Sequence, residues 1–410
     1  MSLLLALRAK IFGRGLCKKV FLGASHQIKF GWRHLFPDFA KQNQEKDVSI
    51  QRIFRRRRRR KPFYTTPEKP ATIPYQYQMP MPLYDNHGRI INYVRIAVTD
   101  RCNLRCFYCM PEEGIDYVPK QDLLSYEEML RVIGLLVRMG IEKVRITGGE
   151  PFVRRDIMDF LRAMAKMEGL REIHITTNGT TTAPLVPELK TLGVRSVNLS
   201  LDSLDRDRFF QITRRDAFPQ VMDTLKALLH HGIKTKINAV VMAEKNTGDI
   251  LPMVEMAKDQ PVSVRFIEEM PFNGSGKTAE RLQWDHRRIL EHIRSFYPDL
   301  EKIPDPPFST SYNYRIPGFQ GSIGIIAAYS RTFCGTCNRI RITPQGMLKT
   351  CLYDDGVFNI RDLVRAGATD AQLEETFLQA LGNRAKDGWE AEKNRKFGLP
   401  VQESMSTIGG

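Results

Sequence analysis

From residue 94 to residue 267, short apolar runs alternate with amphipathic helical patterns at about thirty residues per unit. Strands are predicted at 94–98, 143–147, 172–177, 196–201, 234–241 and 262–267. A helix opens at Ser125, with Glu128 completing a capping box and Met129, Ile133, Leu136 and Val137 on one face. Further helical patterns fall near 155–168, 184–192, 205–213, 218–231 and 249–258. Such alternation folds as a parallel sheet with crossover helices. Six units predict an α/β partial barrel rather than a closed eightfold one, with its chemistry at the C-terminal strand ends. After residue 270 the beat stops. Residues 270–283 read as a loop, 284–296 as a helix, 303–322 as an irregular proline-rich crossing, 339–351 as a hairpin, and 359–366 and 370–381 as helices. The chain therefore divides into a basic extension (1–83), the partial barrel (84–270) and an appendage (271–410) that closes the barrel mouth.

The first strand feeds Cys102-Asn103-Leu104-Arg105-Cys106-Phe107-Tyr108-Cys109. Three thiols this close do not make a disulfide framework, whereas soft thiolates at gaps of three and two can wrap one metal centre. No fourth cysteine is nearby, so a [4Fe–4S] cube held here would keep one iron open to a ligand. Cys334-Gly335-Thr336-Cys337, separated by thirteen residues from Cys351, repeats the pattern. The plainer readings are a zinc site completed by a distant histidine, or buried free thiols. Cysteines grouped in this way belong with metal binding in a reducing compartment. Cys17 is left without an assignment.

Other polar groups fall where the predicted strands end. Thr147-Gly148-Gly149-Glu150-Pro151 follows the second strand, and its two glycines let backbone approach a ligand closely. Thr176-Thr177-Asn178-Gly179, Ser200-Leu201-Asp202, Lys236-Ile237-Asn238 and Glu268-Glu269-Met270-Pro271 belong to later strands. Arg95, Arg145 and Lys236, placed near the rim, suit phosphate. Arg339 and Arg341 flank Ile340 on a predicted strand and so face one way, toward an anionic, ring-bearing substrate.

The formal charge of +16 raises the question of nucleic acid. Residues 1–80 hold 18 Lys/Arg and 4 Asp/Glu, or +14, which leaves +2 for the remainder. The basicity belongs to the extension, with its run Arg55–Arg60, and the body is not expected to bind nucleic acid. Residues 1–37 contain no acid, as a transit segment would, but serine is sparse. A basic disordered arm fits the same composition, and so does an upstream segment outside the working protein, with Met79 or Met81 as a start. No run of eighteen apolar residues occurs, so no membrane span is expected. The compartment expected is the cytoplasm, or the mitochondrial matrix if residues 1–80 are a transit segment.

Cys102-x-x-x-Cys106-x-x-Cys109, with Tyr108 before its last cysteine and Gly148-Gly149-Glu150-Pro151 behind it, resembles the radical S-adenosylmethionine (SAM) enzymes, built on an open TIM-type (βα)6 barrel. The second three-cysteine group, the Arg339-Ile340-Arg341 run within it and the closing Gly409-Gly410 narrow the likeness. From about residue 84 to 410 the chain is similar to the GTP 3′,8-cyclase family, lyase-class enzymes that open molybdenum-cofactor biosynthesis. The resemblance implies two [4Fe–4S] clusters, one on Cys102, Cys106 and Cys109 and one on Cys334, Cys337 and Cys351. It implies SAM contacts at Tyr108, Gly149, Ser200 and Met270, and GTP contacts at Arg95, Arg145, Thr176, Lys236, Arg339 and Arg341. Gly409 and Gly410 would reach into the barrel to complete a productive site. A 5′-deoxyadenosyl radical from SAM would take the 3′ hydrogen of GTP, giving 3′,8-cyclo-7,8-dihydro-GTP. An external electron donor, a following cyclic pyranopterin monophosphate synthase and a homodimer are the implied partners. The rival readings are a peptide-modifying radical SAM enzyme with an auxiliary cluster, and a zinc-binding nucleic-acid module.

Overall fold

The computed structural model describes residues 82–270, 272, 282–395 and 403–409. The contacts divide the chain into Met1–Tyr77 and Gln78–Gly410, and every described residue belongs to the second unit. The transit-segment and disordered-arm readings of residues 1–80 fall outside the described residues, as does Gly410.

The strands of the barrel are β1 (Tyr93–Ala97), β2 (Lys143–Thr147), β3 (Glu172–Thr177), β4 (Ser196–Ser200), β5 (Lys234–Val241) and β6 (Ser263–Glu268). Each pairs in parallel with the next, and helices 126–138, 157–165, 186–191, 206–213, 218–230 and 250–259 lie between them in the chain. Ser125 caps the first of these helices in the expected box with Glu128. Further on come β7 (Glu301–Lys302), β8 (Tyr312–Arg315), β9 (Ser322–Ile326), β10 (Arg339–Ile342), β11 (Met347–Lys349) and β12 (Phe358–Asn359).

All twelve form one sheet, in the order β12-β11-β10-β1-β2-β3-β4-β5-β6-β9-β8-β7. Thus β9 joins β6 and β10 joins β1, both in parallel, so strands after residue 270 extend the barrel sheet at both edges. The stretch 303–322, read from its prolines as irregular, contains β8, which pairs antiparallel with β9. Tyr312 and Tyr314 supply the aromatic, strand-forming residues there, and Pro306, Pro307 and Pro317 lie outside the strand.

A parallel sheet buried on both faces normally reads as continuous aliphatic strands. These strands alternate instead. Val94, Ile96, Val144, Ile146, Ile173, Ile175 and Val197 pack with the helices in the main core. The intervening positions are Arg95, Arg145, His174, Thr176 and Asn198. Since side chains alternate along a strand, one face is sealed by helices and the other forms a polar lumen.

Candidate active site

The cationic residues read as rim groups lie deeper. Arg95 and Arg145 are the middle residues of β1 and β2 and pair with each other in register; Arg341 on β10 pairs with Arg95 on its other side. In a parallel sheet this register sets three guanidinium side chains in a row on one face. Arg339 sits two residues below, opposite Tyr93. Lys236 pairs with Asn198, which pairs with Thr176, and Arg265 pairs with Asn238. Arg95, Thr176, Asn198, Asn238, Arg265, Arg339 and Arg341 line one cavity together with Cys334, Cys337 and Cys351.

These cations are neighbours of one another. Desolvation, with Arg95 and Arg339 adding to it, brings Arg341 down to about 9. Desolvation, with Arg145 and Arg95, brings Arg265 to about 10, and desolvation with Arg265 and Arg145 brings Lys236 to about 7. Burial pushes the Tyr93 phenol up, but Arg145 and Arg95 outweigh it and bring the group to about 7; Arg145 Nε donates to its oxygen at 2.6 Å. Arg145 also donates to the Ile175 carbonyl at 2.9 Å and to Thr176 Oγ1 at 3.3 Å. Arg95 Nε, Arg265 Nε, Asn198 Oδ1, Asn238 Oδ1 and Thr147 Oγ1 are buried without a partner. An unmet buried polar atom costs about 1–3 kcal/mol, so a lumen holding several is shaped for a polar, anionic ligand.

The two cysteine groups enter this lumen from opposite ends. Cys102, Cys106 and Cys109 follow the C-terminal end of β1. Cys337 precedes β10, which runs parallel to β1, and Cys351 follows the antiparallel β11. The second group therefore lies where β1 begins, which departs from the expectation that all motifs sit at the C-terminal strand ends. The four residue steps from Tyr93 to Ala97 span roughly 13 Å at the ordinary strand rise.

Backbone contacts fix the first loop. Arg105 N–H donates to the Thr213 carbonyl and Phe107 N–H to that of Ile212, while Leu104 N–H and Asn178 Nδ2 lie 3.4 and 3.6 Å from Cys102 Sγ. Burial, with Glu150 nearby, pushes the Cys102 thiol up to about 12, and burial also raises Cys106 and Cys109. In the second group burial pushes Cys351 up to about 11. It pushes Cys337 up as well, but the guanidiniums of Arg339 and Arg384 prevail and bring that thiol to about 6. Within each group the sulfurs are close enough to raise one another. Yet among the described residues no three Cys, His, Asp or Glu side chains converge as ligands of a single ion. Three soft thiols in mutual range are a donor set that fits three corners of an iron–sulfur cube.

The comparisons with known proteins point the same way. Residues 96–257 match the Radical SAM superfamily and residues 262–389 match Molybdenum Cofactor Synthesis C. The GTP 3′,8-cyclase of Geobacter sulfurreducens is 44% identical over 333 residues, covering 80% of this chain and 100% of that one. The chain belongs to the GTP 3′,8-cyclase family of radical SAM proteins. Molybdenum cofactor biosynthesis protein 1 of Bos taurus is 42% identical over 305 residues, 74% of this chain, and the chain spans only 48% of that relative's length. The crystal structure of Streptococcus suis SuiB shares the fold, with a TM-score of 0.50 at 16% identity over 75% of this chain and 68% of that one.

Against the family pattern, the residues assigned to SAM divide. Tyr108, in the first cysteine loop, donates its hydroxyl to Asp202 at 2.8 Å; Ser200 ends β4 opposite Asn238; and Gly149 N–H donates to the Thr99 carbonyl at 2.8 Å. Met270 instead lines the cavity shared with the second cysteine group. Gly148 and Gly149 have a packing reason to be glycines. A Cβ on Gly148 would meet the Thr99 oxygen at 2.5 Å, and one on Gly149 would run into the Arg101 and Asp100 carbonyls. Glu150, fully buried, accepts from Thr177 Oγ1, Asn178 N–H and Phe152 N–H, and desolvation pushes it up to about 7. Gly409 lies inside the barrel. Its carbonyl accepts from Arg341 Nη1 at 2.6 Å, and a Cβ there would meet Thr147 Oγ1 at 2.5 Å and Ala97 Cβ at 2.8 Å. Arg265, Asn198, Tyr93 and Arg384 join the site without having stood out in the sequence. An arginine alternating with Val264 and Phe266 in a predicted parallel strand was a usable signal; nothing marked Arg384.

Proposed function

We propose that this chain is a radical SAM GTP 3′,8-cyclase, converting GTP to (8S)-3′,8-cyclo-7,8-dihydroguanosine 5′-triphosphate in the first step of molybdenum-cofactor biosynthesis. The observation that carries the reading is the lumen between the two cysteine groups. Arg95, Arg265, Arg339 and Arg341 line it, with Arg145 and Lys236 in register beside Arg95 and Asn198; the charged groups acting most strongly on Arg95, Lys236, Arg265 and Arg341 include no carboxylate, and several of its buried polar atoms lack partners. A triphosphate supplies what these groups lack.

Cys102, Cys106 and Cys109 would hold the cluster that binds SAM, and Cys334, Cys337 and Cys351 the second, beside the guanine. Given an electron through that cluster, bound SAM would supply the radical chemistry that removes the 3′ hydrogen of GTP. The chain's own residues bind and orient. Arg95, Arg145, Lys236, Arg265, Arg339 and Arg341 neutralise the nucleotide, with Thr176 and Asn198 adding neutral hydrogen bonds. The seated Gly409 narrows the C-terminal opening between β1 and β2 and helps exclude water and stray hydrogen donors. An external reductant and a following cyclic pyranopterin monophosphate synthase are the partners this chemistry calls for, with the cytoplasm or the mitochondrial matrix as its place. Among the described residues no helix is long and apolar enough to cross a membrane.

The test is anaerobic incubation of the reconstituted protein with SAM, GTP and a reductant, followed by mass spectrometry. The expected products are 5′-deoxyadenosine and an isomer of GTP. 5′-Deoxyadenosine without that isomer, or protein that binds zinc and no iron, would overturn the proposal.

A further inference from the structure

Arg384 follows the helix Asp370–Gly382, and its buried side chain reaches the second cysteine group. Its Nη2 donates to Cys337 Sγ at 3.2 Å and to the Arg339 carbonyl at 3.0 Å, and its Nη1 donates to the Cys337 carbonyl at 3.1 Å. Nη1 also donates to Asp85 Oδ2 at 3.1 Å, on a fully buried carboxylate that accepts from Arg89 Nε at 2.6 Å. Arg89 in turn donates to the Cys334 carbonyl at 3.1 Å, and His87 Nε2 lies 2.8 Å from the Arg384 carbonyl. Guanidiniums thus tie both Cys334 and Cys337 to residues 85–89. Arg339 Nη2 lies 3.6 Å from the same Cys337 sulfur, but Arg339 lines the lumen and Arg384 does not. In the first group, the donors near Cys102 Sγ are the neutral Leu104 N–H and Asn178 Nδ2.

We propose that Arg384 is a positioning residue for the second cluster, and that its charged hydrogen bond to the Cys337 sulfur fixes this ligand and eases the cluster's one-electron reduction. The inference rests on the reading that Cys334, Cys337 and Cys351 bind a cluster. A guanidinium carries donors and no acceptor, so the hydrogen bond runs from Arg384 to sulfur whether that sulfur is free or bonded to iron. A charge-assisted donor is roughly twice as strong as a neutral one. Hydrogen bonds to ligand sulfur help set a cluster's potential, and a donor favours the state with more negative charge on sulfur, which is the reduced one. Arg384 cannot swing away cheaply, because its charge would stay buried without Asp85. Its planar fork meets the carboxylate, two backbone carbonyls and the sulfur together, which the point charge of a lysine cannot do. A purely structural arginine would need the backbone contacts alone and would leave the potential where it was.

The experiment is a potentiometric titration with dithionite, followed by electron paramagnetic resonance, on the full chain with both clusters assembled. The second cluster is the one whose signal SAM leaves unchanged. Arg384→Met should lower the midpoint of that cluster, with iron content and the midpoint of the SAM-responsive cluster as in the parent. Arg384→Lys, which keeps a charge but not the fork, should titrate between the two. A parental midpoint in Arg384→Met, or an equal fall in both clusters, would overturn the proposal. If Arg384→Met loses the second cluster's iron, Arg384→Lys carries the test, and a parental midpoint there overturns it. Loss of that iron in both variants would make the contact a requirement of assembly alone and overturn the effect on reduction. A parent chain whose only cluster responds to SAM would defeat the reading of Cys334, Cys337 and Cys351 as cluster ligands, a separate failure.

Discussion

Lys236 turns the cationic lumen into a measurable quantity. Desolvation, with Arg265 and Arg145 close by, brings its ammonium down to about 7 in the empty site. A bound triphosphate supplies the counter-charge and returns the group toward its ordinary value near 10.4. At pH 8 the free lysine is about one-tenth charged and the occupied one almost wholly so, and nucleotide binding should take up about 0.9 proton at this residue. Tyr93, also near 7 because Arg145 and Arg95 outweigh its burial, rebinds its own proton when a nucleotide shares those guanidiniums. The parent should therefore take up between about one and two protons. Calorimetry on the anaerobically reconstituted protein, in buffers of differing ionisation enthalpy, counts them. The terminal phosphate of the nucleotide, with a second pKa near 6, is already ionised at this pH. Lys236→Met should lose about 0.9 of the uptake, and its affinity should fall up to roughly tenfold less than the parent's between pH 8 and pH 9. Equal uptake in parent and variant would refute the placement of Lys236 against the phosphates. Without nucleotide the sign reverses for stability. The unfolded chain holds this proton more tightly than the folded one, so the lysine's cost is present near pH 7 and is relieved as pH rises toward 10.5.

Three substitutions test other parts of the site. Arg341→Ala removes a charged donor from one end of the row and should weaken GTP binding roughly ten- to hundredfold by equilibrium dialysis, with iron content and reductive SAM cleavage preserved; undiminished affinity would count against the assigned site. Gly149→Ala sets a Cβ against the Arg101 and Asp100 carbonyls and should displace the first cysteine loop, leaving about four irons where two cubes hold about eight. A full complement of iron in that variant would show that the loop can shift. Gly409→Ala meets Thr147 and Ala97 at a residue with φ of +75°, and should unseat the tail and abolish cyclisation while both clusters assemble; normal turnover would contradict the closing role given to Gly409.

Much of the barrel was legible because its signals are local. The capping box at Ser125 and the apolar beat of the strands survive in any window of a dozen residues. The hairpin joining β10 to β11 was legible for the same reason. Two things were not. That β10 lies beside β1, more than two hundred residues away, is a long-range pairing that no local pattern encodes, and it alone places the second cysteine group at the opposite end of the lumen. The depth of Arg95 and Arg145 was hidden as well. An arginine in a strand reads as a surface charge until its neighbours in register prove to be Arg341 and His174 and not solvent.

That register also limits how a substrate can lie. The row Arg341–Arg95–Arg145 occupies the middle of the strands, with one cysteine group beyond Ala97 and the other below Tyr93. A ligand whose charge is drawn to that row meets a different metal site at each end, and a compact anion such as phosphate could reach neither. A nucleotide can, because its base and its phosphates are separate parts joined through a sugar. On the same reasoning, inorganic triphosphate should compete with GTP for the lumen yet leave the second cluster's spectrum unchanged, whereas GTP should perturb it. If triphosphate alone shifted that spectrum as GTP does, the base would not be at the second cluster and the orientation argued from the register would be wrong.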